Sequence, residues 1–159
     1  MKIIRKILLT GIVGTFSTDI WTIILKVFGV HSHGLLLVGQ WIISHLSLSS
    51  QKELEGKALY LGWTAHYCLG MLFAFVPIAL YGQKWLHRPT FATALITGLT
   101  TFMFSIFIIQ PILNFGVAFS EYTGQPIILL KVALFHIVYC IGLYGTARMI
   151  ANCPKTQKT

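Results

Sequence analysis

The stretch PIILLKVALFHIVYCIGLYGTARMI, residues Pro126–Ile150, decides the fold class of this chain. It exceeds the about 20 residues that an α-helix, rising about 1.5 Å per residue, needs to cross the hydrocarbon core of a bilayer. Three earlier apolar runs are also long enough, at Ile7–Phe28, Ala58–Gly82 and Thr90–Phe119. The sequence therefore predicts an all-α integral membrane protein, a four-helix bundle that forms a single transmembrane domain over residues 1–159.

Composition and charge exclude several other classes of protein. Hydrophobic residues make up 55% of the 159-residue chain and charged residues only 10%, whereas soluble domains carry about 25% charged residues. The net charge of +8 comes from short clusters beside the spans, which suit anionic lipid headgroups, so nucleic acid is not expected as a partner. The first run is longer than the about 7–15 apolar residues of a signal peptide and lacks a cleavage pattern, so we expect it to be retained.

The stretch Gly34–Ser47, GLLLVGQWIISHLS, is apolar but reaches only about 21 Å as a helix, short of a hydrocarbon core of about 30 Å. Four spans with a cytoplasmic N-terminus place eight of the 12 Lys and Arg residues on the cytoplasmic side, whereas a fifth span would divide them equally. We therefore predict that both termini are cytoplasmic and that Gly34–Ser47 is a short interfacial or re-entrant helix on the outer side. Residues 152–159 are predicted to form a polar tail.

Polar residues inside the spans are the candidate functional residues. Asp19 and His136 lie roughly 3 Å outward from the midpoints of their spans, taken as the bilayer centre. By the same measure His66 lies roughly 6 Å and Gln110 roughly 9 Å outward. Because such groups are costly in hydrocarbon, they normally face the bundle interior and find partners there. These residues are expected to share one polar pocket that opens outward.

Two interpretations of this pocket stay open. It could be a proton-relay, ion or ligand site, or its polar groups could be interhelical hydrogen-bonded pairs that only fix the packing of the helices. Haem ligation by His66 and His136 is a weaker alternative, because no arginine lies near for the propionates. No metal site is predicted, the cofactor is unknown, and no residue is assigned a catalytic role. Ser120 has no histidine placed beside it by the sequence.

Local patterns add three expectations. The proline of Gln110-Pro111 lacks a backbone donor and is expected to bend or break the third span. Gly62 and Gly70 flank His66 at helical spacing and should let a neighbouring helix approach closely. Trp41 is suited to the headgroup level, and Trp85 is expected to be a membrane-surface anchor.

Six segments occur in a characteristic order: GIVGTFSTDIW (Gly11–Trp21), LVGQW (Leu37–Trp41), LGWTAHYCLGMLFA (Leu61–Ala74), QP (Gln110–Pro111), FGVAFS (Phe115–Ser120) and LFHIVYCIGLYG (Leu134–Gly145). Together they resemble the DUF2938 family of small bacterial inner-membrane proteins. The resemblance covers nearly the whole chain and implies a four-helix inner-membrane protein without an assigned activity. It implies that Asp19, Trp41, His66, Gln110 and His136 are candidates for ligand or proton binding.

The chain departs from that family pattern at two positions, with Thr18 in place of a methionine and Gln40 in place of an arginine. A mechanism that pairs Asp19 with an arginine is therefore not expected here. The leading hypothesis is a small proton-linked transporter or transporter subunit, in a homo-oligomer because four short helices enclose little volume. The alternative is a non-catalytic membrane scaffold or accessory protein, followed by a haem- or metal-binding protein and by an enzyme that acts on a lipid.

Overall fold

The computed structural model describes residues 2–46, 56–121 and 123–153, and within them it contains helices and no β-strand. A π-helical turn, Ser105–Ile109, joins the fifth helix to the sixth, and 3₁₀ turns lie at Gln83–Leu86 and Val117–Phe119. The helices are α1 (Ile3–Val27), α2 (Gly34–His45), α3 (Ala58–Phe73), α4 (Val76–Tyr81), α5 (Phe91–Phe104), α6 (Gln110–Ile112) and α7 (Gln125–Asn152).

Four helical segments in the described residues are long and apolar enough to cross a membrane: Ile3–Val27, Ala58–Tyr81, Phe91–Ile112 and Gln125–Asn152. The shorter apolar helix α2 lies between the first and second of them. This confirms the predicted all-α fold with four membrane-spanning helices and one additional short helix. The predicted end of the short helix, Ser47, and the tail beyond residue 153 lie outside the described residues.

The third span is shorter than predicted, since it ends at Ile112 and not at Phe119. Asn114 adopts a left-handed conformation, with φ of 62°. The backbone N–H of Phe115 then bonds to the carbonyl oxygen of Gln110 over 2.9 Å, as in a Schellman motif. The prediction was wrong at this end because apolar residues continue past Asn114 although the helix does not.

The second span is interrupted between α3 and α4, at Ala74 and Phe75. Pro77 lies in the first turn of α4 and has no backbone N–H to offer the carbonyl of Phe73, four residues earlier. The chain therefore makes a short turn and resumes as a second helix, which ends at Gly82, whose φ is 70°.

Helices α1 and α7 pack on each other and form the central pair of the bundle. Helix α1 contacts α7 and α3, α5 contacts α7, and α2 contacts α3. The buried apolar core lies at the end of the bundle where α1 begins and α7 ends, and includes Ile7, Leu86, Ala94 and Leu143. Trp85 belongs to this core with 3% of its surface exposed, so its predicted role as a surface anchor is wrong.

Two glycines bring the backbones of α2 and α3 into direct contact. A Cβ atom on Gly39 would collide with the carbonyl oxygen of Ala58, and one on Gly62 would collide with the carbonyl oxygen of Leu35. Close approach of this kind is what small residues permit between membrane helices. The two helices are therefore antiparallel neighbours, and the beginning of α2 is fixed beside the second turn of α3.

Small residues have the same function in the central pair. A Cβ atom on Gly14 would lie 2.9 Å from the ring of Tyr139, and one on Gly142 would lie 3.1 Å from the Cα atom of Gly14. Between α1 and α3, a Cβ atom on Gly70 would collide with the hydroxyl of Thr15. The prediction that Gly70 and Gly62 admit close neighbours agrees with these contacts.

Candidate functional site

A cavity of about 510 Å³ lies at the end of the bundle opposite the apolar core. Its walls come from all four membrane-spanning segments, from the beginning of α2, and from the loop His31–His33 that precedes α2. Ligand pockets in proteins have volumes of about 300–1,000 Å³, so the cavity can hold a small molecule.

Four of the five candidate residues line this cavity: Asp19, His66, Gln110 and His136. They come from α1, α3, α6 and α7, and thus from each of the four membrane-spanning segments. The fifth candidate, Trp41, is half-buried on α2 and does not line the cavity. Its ring stacks on that of His45, with centroids 4.1 Å apart.

The Asp19 carboxylate is held by two side chains of α3. Nε2 of His66 lies 3.2 Å from Oδ1 of Asp19, and the hydroxyl of Tyr67 donates to Oδ2 over 2.7 Å. The hydroxyl of Thr18 also lies 3.4 Å from Nε2 of His66, but it donates its proton to the carbonyl oxygen of Thr15 over 2.7 Å. The N–H of His66 therefore donates to Asp19.

This cluster lies one helical turn from a close contact between α1 and α3. Gly70 lies against Thr15, and His66 is one helical turn before Gly70 just as Asp19 is one turn after Thr15. The side chains of Asp19 and His66 are 11% and 30% exposed, so the carboxylate is the more enclosed of the two. The close packing thus aligns one carboxylate with one imidazole on the cavity wall.

His136 is held by the neighbouring helix α5. Its Nδ1 lies 3.1 Å from the hydroxyl of Thr101, which also donates to the carbonyl oxygen of Gly98 over 3.0 Å. Because the Thr101 hydroxyl donates its proton to Gly98, Nδ1 of His136 donates its own proton to the Thr101 oxygen. Nε2 of the neutral imidazole then has no proton and can accept a hydrogen bond. Gly98 packs against the Cys140 side chain, which keeps α5 and α7 close at this level.

Gln110 is nearly inaccessible, with 3% of its surface exposed. Its Oε1 atom is buried and has no hydrogen-bond partner in the part of the chain that the structure describes. A buried acceptor without a donor costs about 1–3 kcal/mol, and such atoms are uncommon in folded proteins. The π-helical turn Ser105–Ile109 precedes Gln110, and both ends of this turn line the cavity. Within the described residues, an unpaired acceptor therefore lies directly behind the cavity wall.

Sequence reasoning missed three residues of the site. Tyr67 bonds to Asp19, Tyr139 donates to the carbonyl oxygen of Gly70 over 2.7 Å, and the half-buried Lys131 lines the cavity. Adjacent residues on a helix point about 100° apart, so Tyr67 was not expected to share a partner with His66. The pairing is possible because Asp19 presents two oxygens, one to each side chain.

Among residues 2–46, 56–121 and 123–153, no three His, Cys, Asp or Glu side chains are grouped so that they could hold a metal ion. His31 and His33 lie at the cavity mouth, and both are exposed. Cys68 is exposed, whereas Cys140 is buried against α5.

Replacing Tyr139 with Phe tests the buried contact between α7 and α3. The variant loses the hydrogen bond from the Tyr139 hydroxyl to Gly70 and keeps the ring that packs on Gly14. We expect the free energy of unfolding to fall by about 1 kcal/mol. The measurement is thermal unfolding in detergent, with the exposed Tyr60→Phe as the control that should not change. An equal unfolding temperature for both variants would contradict the prediction.

Comparisons with known proteins place this chain in one family. No curated protein and no solved structure gives a significant match. A family model described as a protein of unknown function, DUF2938, matches residues 8–150, which is most of the chain. The matched residues include most or all of each of the four long apolar segments, and every residue that lines the cavity. The chain therefore belongs to the DUF2938 family.

Proposed function

We propose that this chain is a small proton-linked transporter, or a subunit of one, that binds a solute in the cavity between its spans. The observation that carries the proposal is the Asp19 carboxylate on the cavity wall, bonded to His66 and Tyr67. Ionisable groups inside membrane spans commonly mark ion pathways and proton relays. Histidine is the side chain that most readily gains and loses a proton near neutral pH.

The proposal links the solute to the proton through Asp19. His66 and Tyr67 each occupy one carboxylate oxygen. A solute that donates to Asp19 interacts with the same negative charge as the His66 N–H, and a doubly protonated His66 binds the carboxylate more strongly than a neutral one. Solute binding therefore changes the affinity of His66 for a second proton. Proton-linked transport requires such a coupling between solute binding and proton binding.

The proposed orientation in the bacterial inner membrane has both termini in the cytoplasm and the cavity open to the outer side. Its support is the distribution of positive charge, with eight of the 12 Lys and Arg residues on the proposed cytoplasmic side. The cavity lies at the end of the bundle opposite the N-terminus, so this orientation exposes it to the solutes outside the cell.

The test replaces His66 with Gln, whose amide N–H can still donate to Asp19 but cannot exchange a proton. Wild-type and variant proteins are reconstituted in liposomes that contain a pH-sensitive dye. Proton movement is then recorded on addition of amines, amino acids, sugars and carboxylates. We expect solute-driven proton flux in the wild type and none above empty liposomes for His66→Gln. The control is His87→Gln, because His87 is exposed and lies outside the cavity.

Equal proton flux for wild type and His66→Gln with every solute would overturn the proposal. That result would favour the scaffold hypothesis, in which the polar groups serve only to pair the helices. Size-exclusion chromatography of each variant establishes that it is folded before its flux is compared.

A further inference from the structure

We infer that the solute carries an ammonium group on a compact apolar body. This inference rests on the proposed function and adds the chemical class of the ligand. It comes from the kinds of polar atoms that the cavity presents, and from the surfaces that separate them.

Three polar side chains in the deep part of the cavity supply hydrogen-bond acceptors. Asp19 contributes a carboxylate, and each of its oxygens keeps a lone pair beyond the bond already made. Gln110 also lines the cavity, and its Oε1 atom, which has no partner among the described residues, is buried behind this wall, so that a rotation of the side-chain amide is needed to bring it to a ligand. His136 contributes Nε2 when its Nδ1 is bonded to Thr101. A ligand that satisfies these atoms must donate several hydrogen bonds, and a primary ammonium group has three N–H donors.

The surfaces between these acceptors are apolar. Phe73, Leu69 and Phe135 line the cavity together with Leu113 and Val132. A cation is attracted to the faces of aromatic rings, and an apolar body gains free energy when it is removed from water. The cavity therefore suits a small organic amine better than a strongly hydrated inorganic cation.

An acidic head group fits the interior poorly. It would meet the Asp19 carboxylate and would leave Oε1 of Gln110 unpaired. The cation that lines the cavity within the described residues is Lys131, five residues before His136 on α7, which is about 7.5 Å of helical rise. An acid would therefore bind at the level of Lys131, nearer the mouth, whereas an amine is expected to bind deeper.

The experiment compares three probes that share a phenyl group on a short chain: 2-phenylethylamine, 2-phenylethanol and 3-phenylpropanoate. Each is titrated into the purified full chain in a neutral detergent, and binding is measured by calorimetry. We expect the amine to bind about 10–100-fold more tightly than the alcohol, because hydrogen bonds from a charged donor are stronger. The acid is expected to bind most weakly of the three.

A matched pair of variants locates the ammonium group. Gln110→Leu removes the unpaired acceptor and is expected to weaken amine binding about tenfold. Its unfolding temperature should not fall, since a buried polar atom without a partner is removed at the same time. Gln83→Leu is the control, because Gln83 is exposed and lies outside the cavity.

Equal binding of the three probes, or tightest binding of the acid, would overturn the inference. If Gln110→Leu bound the amine as tightly as the wild type, the proposed role of Gln110 would be overturned. The ranking of the probes on the unmodified chain decides the ligand class even if that variant does not fold. The flux experiment with His66→Gln does not depend on these probes. Failure of the proposed ligand class can therefore be distinguished from failure of the proposed function.

Discussion

Asp19→Asn is expected to abolish solute-driven proton flux and to weaken amine binding by about 100-fold, while the protein still folds. Asparagine retains an oxygen that accepts one hydrogen bond from His66 or Tyr67, but it carries no charge to attract a cation or a second proton on His66. An Asp at the centre of a membrane helix costs about 2.5–3.5 kcal/mol to insert, so removing its charge should not impair assembly in the bilayer. The measurements are proton flux in liposomes and calorimetric titration with 2-phenylethylamine.

The control for this variant is Glu121→Gln, which makes the same change of acid to amide at an exposed position outside the cavity. It should behave as the wild type in both assays. If a correctly folded Asp19→Asn protein showed the same proton flux as the wild type, the Asp19 carboxylate would have no part in transport and only a structural role.

Gly62→Val is expected to destabilise the protein most among the variants considered, by about 3 kcal/mol or more. The new Cβ atom would collide with the carbonyl oxygen of Leu35, and a backbone atom cannot rotate away as the end of a flexible side chain can. Helix α2 would have to move away from α3, and Leu35 itself lines the cavity, so the cavity should change shape as well. The measurement is thermal unfolding in detergent, monitored by tryptophan fluorescence.

Gly145→Val is the matched control, since a Cβ atom on Gly145 would have no neighbour within 4 Å. It introduces the same side chain into a helix without the steric conflict. Equal unfolding temperatures for the two valine variants would show that α2 does not pack on α3 through Gly62.

The number of long apolar helices and their approximate positions could be predicted from the sequence because hydrophobic length is a strong signal. Each span needs about 20 apolar residues, and the chain supplies four such runs and a fifth that is too short. The end of the third span could not be found in this way, because Phe115 is as apolar as the helix before it. The signal that ends the helix is the left-handed Asn114, which hydropathy does not register.

The depth of polar residues also carried information about the site. Residues at similar distances from their span midpoints, such as Asp19 and His136, line the same cavity. Depth does not specify rotation about the helix axis. The hydrogen bond from Tyr67 to Asp19, and the lack of a partner for Oε1 of Gln110 among the described residues, could therefore not be predicted. Burial of Trp85 was missed for a related reason, because tryptophan beside a span is also common at the lipid headgroups.

The apolar core fills the end of the bundle opposite the cavity. Ile7, Leu86 and Leu143 pack together there, and none of them is among the described residues that line the cavity. A transport cycle would have to separate these same side chains while the mouth narrowed, and would expose their apolar surface for as long as they stayed apart. The free-energy cost of separating the side chains that stabilise this fold would then limit the rate of each transport cycle.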